Sequence, residues 1–253
     1  MFAAERRDLI LNVLQQEKRI TVKELSKSLN VSEATLRTDL NIMEEEGLLT
    51  RTHGGAILNG EVQQKDNSFS ERAKKNREYK ISLASKAVEF IDHKDCIVLD
   101  ASTTALELAR ILKDKQIRLT VVTNGISAAV ELKENPGINV ILVGGMVRMG
   151  SMALEGLLGT SILDKINIDM MFTSASGFTV KDGLTDFNVY EVELKKVMVE
   201  KAPKVIAMLD YTKIGTSSIA SFASTDQIDT IITNDNVPAD LLESLENKIN
   251  IIH

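Results

Sequence analysis

At 253 residues the chain is long enough for one large domain or for a small and a large one, and its composition, 43% hydrophobic and 26% charged, is that of a globular protein. A formal net charge of −6 argues against a polybasic nucleic-acid or membrane binder, while leaving room for a local DNA-binding face. The single cysteine, Cys96, excludes an internal disulfide and a multi-cysteine zinc site; charges in MFAAERRDLI, and the lack of an apolar run near about 18 residues, point to a soluble cytoplasmic protein.

Three short helical patterns open the chain. Residues 5–15 place Leu9, Ile10, Val13 and Leu14 at helical spacing. In ITVKELSKSLN, Thr21 is an N-cap with Glu24 three residues on, a capping box, and Ile20 faces Leu25 as a hydrophobic staple. VSEATLRTDLNIMEEEGLL repeats the device, with Ser32 as cap, Leu36, Leu40 and Met43 as the buried stripe, and Gly47 as the stop. Two short capped helices around a turn at Asn30 match a helix-turn-helix, whose second helix enters the major groove N-terminus first. The exposed early positions are Ser32, Glu33, Thr35, Arg37 and Thr38; arginine suits a guanine edge or a phosphate, and hydroxyls suit either.

LLTRTHGGAIL then alternates apolar and polar residues about Gly54 and Gly55, which predicts a small hairpin or wing with Arg51 and His53 turned to the sugar-phosphate backbone. A small helical subdomain without a DNA role fits the same pattern. Residues 1–60 hold eight Lys/Arg against nine Asp/Glu, but much of the acid is Glu44, Glu45 and Glu46, at the end of the helix away from the bases. Residues 60–80 are polar with a basic excess, a solvated linker, after which Ile81, Ala84, Ala87, Val88 and Ile91 resume a helical stripe. The boundaries expected are 1–58 for a winged helix-turn-helix domain, 59–78 for the linker and 79–253 for a larger domain.

From Cys96, itself expected to be a buried structural thiol, β-type runs (CIVLD, RLTVVT, INVILVGG, DMMFTSASG, KVIAML, DTIIT, INIIH) alternate with helical patterns. Such alternation predicts an α/β domain with a mostly parallel sheet and helices on both faces, where ligands bind beyond the carboxyl ends of the strands. The residues at those ends are alike in kind. They are Asp100 with Ser102, Thr103 and Thr104; Thr123 and Asn124; Gly144 and Gly145 with Arg148; TSASGFTVKDGLTD; and Asp210 with Lys213. Any one joint is also explained as a helix cap. Several on one edge, with Arg148, Lys195 and Lys213 as cations, make a pocket for a polyhydroxy anion.

The run ITVKELSKSLNVSEATLRTDLNIMEEEGLLTRTHGGA closely resembles the N-terminal signature of the DeoR family of bacterial transcriptional regulators. LDASTT, VVTNGI, VGG, EGLLG, SASGF…DGLT, ELKKVM and LDYTKIG resemble its effector domain, so the resemblance covers essentially the whole chain. It implies a repressor of a carbohydrate-catabolism operon that leaves double-stranded operator DNA when a phosphorylated sugar or polyol binds. It also implies an effector domain similar to ribose-5-phosphate isomerase, with Asp100, Ser102 to Thr104, Thr123, Asn124, Gly144, Gly145, Lys195 and Lys213 lining the cavity. Two departures stand out: Thr38 where the family has a second arginine, and Ala101 where glycine is commoner.

The rival reading is a sugar-phosphate isomerase-like enzyme carrying a DNA-binding appendage. Such an enzyme needs a base beside a carbonyl, and Asp100, Glu155, Asp182 and Asp186 are available carboxylates. The DNA-reading module gives the pocket another use, so no catalytic residues are expected. No cofactor or metal is expected either, since His53, His93 and His253 are scattered. Binding paired half-sites roughly 34–36 Å apart calls for a homodimer or homotetramer.

Overall fold

The computed structural model describes residues 3–17, 19–45, 48–52, 54–58, 68–237 and 249–253. The chain divides into two compact units, Met1–Glu71 and Arg72–His253. Among the described residues no helix is long and apolar enough to cross a membrane.

The first unit runs α1 (Ala3–Glu17), β1 (Arg19–Thr21), α2 (Val22–Leu29), α3 (Glu33–Glu45), β2 (Leu49–Thr52) and β3 (Gly55–Leu58). Its core gathers Ile10, Leu14, Ile20, Val22, Leu25, Leu36, Leu40, Met43, Leu49 and Ala56. Leu9 is exposed, because the buried stripe of α1 runs through Ile10 and Leu14, one turn apart. The capping box forms as the spacing predicts: the Glu24 amide donates to Thr21 Oγ1 at 3.2 Å, and the Thr21 amide donates to Glu24 Oε2 at 2.9 Å. Asn30 ends α2 in the left-handed region at φ 52°, which an asparagine tolerates. Gly47 lies outside the described residues.

The expected hairpin is present, β2 against β3, and a third strand joins it. β1 pairs antiparallel with the other side of β3, giving the order β1-β3-β2. Buried Asp39 on α3 accepts from Arg6 Nε at 2.5 Å and from Arg7 Nε at 3.5 Å, which fastens α1 to α3.

Two helices begin the next stretch, α4 (Phe69–Lys74) and α5 (Arg77–Ala87). Of the expected linker, 59–67 lie outside the described residues, and the remainder is largely helical. The α4 sequence FSERAK has no apolar stripe to announce it. The Glu71 amide donates to Ser68 Oγ at 3.3 Å at its start.

The larger sheet contains β4 (Cys96–Leu99), β5 (Leu119–Thr123), β6 (Ile138–Leu142), β7 (Met170–Thr173), β10 (Val205–Met208), β12 (Thr230–Ile232) and β13 (Asn250–Ile252). Their order is β13-β12-β10-β7-β4-β5-β6, and every pairing among them is parallel. A second sheet, β11-β9-β8, is antiparallel and built from β8 (Gly177–Thr179), β9 (Gly183–Asp186) and β11 (Ala220–Ala223).

Period-two alternation sends neighbouring residues to opposite faces. Ile97, Leu99, Val121 and Phe172 join α5, α6 (Thr103–Lys113) and α7 (Ile126–Leu132) in one core. Val98, Val122 and Met171 join α8 (Val189–Lys201) and the small sheet in the other. Cys96, at the edge of β4, is half-buried rather than buried, and its thiol pKa is raised by burial and then by Asp169. The chain leaves β4 toward β5 and β6, then returns to β7 on the far side. The order therefore reverses between β4 and β7, and such a switch point, at the strands' carboxyl ends, is where open parallel sheets bind ligands.

Candidate DNA interface and effector site

On α3, Ser32 caps the helix through its hydroxyl, which accepts from the Thr35 amide at 3.2 Å and lies 2.8 Å from Thr35 Oγ1. Glu33 and Arg37 are exposed one turn apart and form an ion pair at 3.4 Å, so the guanidinium rests on its own helix. Thr38 is exposed, but its hydroxyl donates back to Ala34 O at 3.2 Å. Arg51 leans on α3: its amide donates to Glu44 Oε1 at 2.8 Å and its guanidinium to Asn41 Oδ1, while its buried Nε has no partner. Gly54 is an open turn, but Gly55 is buried, and a Cβ there would stand 2.0 Å from Ile20 O. Its lack of a side chain lets β1 approach β3; it offers no side chain to DNA. His53 lies outside the described residues.

In the second unit the switch point is filled by a charged network. Asp100, fully buried, accepts through Oδ2 from Thr173 Oγ1 at 2.6 Å and the Ser174 amide at 3.1 Å, and through Oδ1 from the Ser102 amide at 3.0 Å. Lys195, 2% exposed, stands 3.1 Å from Asp100 Oδ2 and donates to Asp186 Oδ2 and Ser174 O, each at 2.8 Å. Its ammonium also sits 4.6 Å from the centre of the Phe222 ring. Burial alone would lower the lysine's pKa, but Asp100, Asp186 and Glu191 hold it above its ordinary value. Burial would likewise raise Asp186, yet Lys195 keeps its carboxyl below the ordinary range. Glu191 is raised, chiefly by burial. Lys195 is therefore not a free cation: two buried carboxylates already balance it.

Around this plug the strand-end residues divide by role. Ser102 caps α6, its Oγ accepting from the Ala105 amide at 3.1 Å. Thr103 and Thr104, both buried, occupy the first helical positions, whose amides have no intrahelical acceptor. Thr123 Oγ1 accepts from the Gly125 amide at 2.9 Å, turning the chain into α7. Asn124 donates to Leu154 O at 3.0 Å, but its buried Oδ1 has no partner. Gly145 permits close backbone approach, since a Cβ there would meet Glu155 O at 2.6 Å, whereas a Cβ on Gly144 would meet only Gly159 Cα, at an ordinary 3.9 Å. Arg148 is committed as well, to buried Glu155 at 2.5 Å and Asn188 Oδ1 at 2.9 Å, with its guanidinium 4.9 Å from the Tyr190 ring centre. Lys213 differs: half-buried beside Asp210, its ammonium has no hydrogen-bond partner among the described residues.

Several polar residues at this edge were not singled out from the sequence. Thr233 Oγ1 and Asn234 Oδ1, just past β12, are buried without partners. Thr233 closes the run DTIIT and Asn234 follows it, as the other strand-end residues close or follow theirs. Thr173 and Ser174 lie within the TSASG run, but their pairing with Asp100 spans more than seventy residues. Asn76 and Lys80 come from the helical segment whose polar sequence predicts a linker. No group of three or more His, Cys, Asp and Glu suited to a metal occurs among the described residues. A cavity of about 430 Å³ lined by His93, Lys113, Lys115 and Arg118 lies at the opposite, amino edge of the sheet and includes none of these residues.

Comparison with known proteins agrees with this division of labour. Residues 6–62 match the DeoR-like helix-turn-helix domain, and residues 75–235 match the DeoR C terminal sensor domain. The HTH-type transcriptional regulator GolR of Listeria innocua is 43% identical over 247 residues, covering 98% of this chain and 96% of that protein. GlpR of Haloferax volcanii is 36% identical, covering 98% and 96%, and the repressor GlcR of Bacillus subtilis is 34% identical, covering 92% and 89%. Among solved structures, a D-ribose-5-phosphate isomerase in complex with phospho-erythronic acid shares 19% identity, with 55% of this chain and 54% of that one covered, at a TM-score of 0.42, a distant likeness. With a DNA-reading module and a sensor module both matched along nearly its whole length, the chain belongs to the DeoR family of transcriptional regulators.

Proposed function

We propose that this regulator is a repressor of a carbohydrate-catabolism operon, released from its operator by a phosphorylated sugar or polyol. The observation that carries the reading is the unpartnered ammonium of Lys213 on the same sheet edge as the Ser102-capped N-terminus of α6. Strands β4 and β10 are separated only by β7, so their ends lie about 10 Å apart, within reach of one small ligand. Helix amides and a lysine suit a phosphate, and the unpaired oxygen of Asn124, on the strand next to β4, suits a ligand hydroxyl. Asp100 and Lys195 support the pocket from beneath, and Arg148 braces the loop beside it. The operator side is assigned to Ser32, Glu33, Thr35, Arg37, Thr38, Arg51, His53 and the Gly54 turn.

Sensing is favoured over isomerisation because the buried carboxylate at the switch point, Asp100, already carries three donors and an ion pair. A general base needs a free lone pair aimed at substrate. Self-association into a homodimer or homotetramer is supported by exposed Met146, Val147, Met149, Leu157, Leu158, Val189 and Tyr190, an apolar surface around the Arg148 hairpin. In a two-fold contact a patch meets its own copy. Neutralisation of Arg148 by Glu155 spares that contact a like-charge clash.

Calorimetric titration with ribose 5-phosphate, glucose 6-phosphate, glycerol 3-phosphate and further sugar phosphates tests the reading. Lys213→Ala is expected to lose at least tenfold in affinity for the binder while keeping operator affinity. Arg37→Ala is expected to lose about 1–3 kcal/mol of operator binding while keeping ligand-induced thermal stabilisation. A panel without any binder, or turnover of the one that binds, overturns it.

A further inference from the structure

Lys80 lies in the first half of α5 with its side chain buried. Its ammonium donates to the main-chain oxygens of Arg72 and of Lys75, the latter at 2.7 Å. Those oxygens belong to α4 and to the residue just after it, where a helix leaves carbonyls without intrahelical partners. Lys80 is thus a cationic C-cap supplied from the following helix.

The same lysine lies within electrostatic reach of the candidate effector corner. Its charged neighbours are Asp210 and Lys213 from the segment after β10, Arg72 from α4 and Glu107 from α6. Glu107 is already held by Arg77 at 3.0 Å and Arg110 at 2.6 Å. Burial, only partly offset by Asp210, lowers the Lys80 pKa to about 8. Two further contacts fasten the α4–α5 joint to this corner. Asn76, left-handed at φ 54°, donates to Asp210 Oδ1 at 3.5 Å, and Tyr79 packs edge-on to Tyr211 with ring centres 5.5 Å apart.

We propose that Lys80 transmits the effector signal: an anion seated against Lys213 draws the Lys80 ammonium off the carbonyls of Arg72 and Lys75 and uncaps α4, the helix that carries the chain across the boundary between its two units. The proposal rests on the effector reading above and adds its route outward. A phosphate dianion outcompetes neutral carbonyls for a buried ammonium because charge-assisted bonds are the stronger kind. It also relieves the cost of holding an unpaired charge out of water. The ligand shifts the equilibrium only through its preference for the uncapped arrangement.

The test uses the full chain and a duplex selected from a randomised pool by the wild type. Lys80→Met keeps the aliphatic stem and removes the ammonium. Without ligand, its amides at 72–78 are expected to exchange at least tenfold faster and its operator affinity to fall at least tenfold, with less than a twofold further response to the sugar phosphate that binds the wild type. Lys80→Arg, which keeps the donors, is expected to stay within threefold of wild type in operator affinity. Wild-type exchange, operator affinity and response in Lys80→Met overturn the proposal. Should Lys80→Met fail to fold, exchange at 72–78 in the wild type decides, and rates unmoved by the bound sugar phosphate overturn it. Loss of ligand binding in Lys213→Ala beside wild-type behaviour in Lys80→Met overturns the clamp alone; full binding in Lys213→Ala overturns the effector reading beneath it.

Discussion

Lys195 is a charge enclosed by protein, and its worth lies in what its removal would strand. Lys195→Met leaves Asp100 and Asp186 buried with no cation between them, a change expected to cost about 3–5 kcal/mol, measured by urea unfolding at pH 7. The pH response has a defined sign. The depressed Asp186 contributes stability that is present above its ordinary pKa of 3.8 and is lost as pH falls through its lower folded value. The raised Lys195 contributes stability that is present below its ordinary 10.5 and is lost only as pH climbs through its still higher folded value. The wild type's own contribution is therefore flat from about pH 5 to 9, whereas in the variant burial raises the carboxylates that have lost their cation, so the difference narrows as pH falls and they take up protons. A difference that instead widened as pH falls would place the charge on some other group.

Among the elements, β1, α4 and the three strands of the small antiparallel sheet, β8, β9 and β11, are the ones the sequence conceals. Gly55→Val would drive a side chain into Ile20 O and Thr21 Cα, 2.0 and 2.7 Å from the position of its Cβ. Parting β1 from β3 in this way is expected to destabilise the first unit by about 1–3 kcal/mol or more. Calorimetry should show an early transition for that unit and an unmoved one for the second. The capping box at Thr21 was legible because both partners lie within four residues, and the alternating runs were legible because each β-strand carries its own pattern. β1 has three residues, and its register with Ile57, Ala56 and Gly55 is set across more than thirty. α4 lacks an apolar stripe and receives its C-cap from Lys80. The candidate site divides in the same way. Strand-end polarity identified Asp100, Thr123, Asn124 and Lys213. That Lys195 and Arg148 are already neutralised depends on Asp186 and Glu155, placed by β9 and by the hairpin after β6, which no local spacing reveals.

For the whole molecule, the apolar surface around Met149 and Leu158, each 86% exposed, bears on assembly. Met149→Asp combined with Leu158→Asp places like charges against their own copies in a two-fold contact. It is expected to shift sedimentation to the monomer and to weaken operator binding at least tenfold, while each chain keeps its far-ultraviolet spectrum. An unchanged mass would assign the contact to another face. Assembly matters the more because of Thr38, whose hydroxyl turns back to Ala34 O. With a threonine there, the start of α3 carries one arginine, Arg37, where the family pattern has two. Every phosphate neutralised releases condensed counterions and adds about 0.9 to the slope of log affinity against log salt. A copy with a second arginine at this point would hold DNA tightly in dilute buffer and lose it quickly as salt rises. This one is expected to show a shallower salt dependence of operator binding, and in the proposed dimer the second head would supply what the missing cation does not.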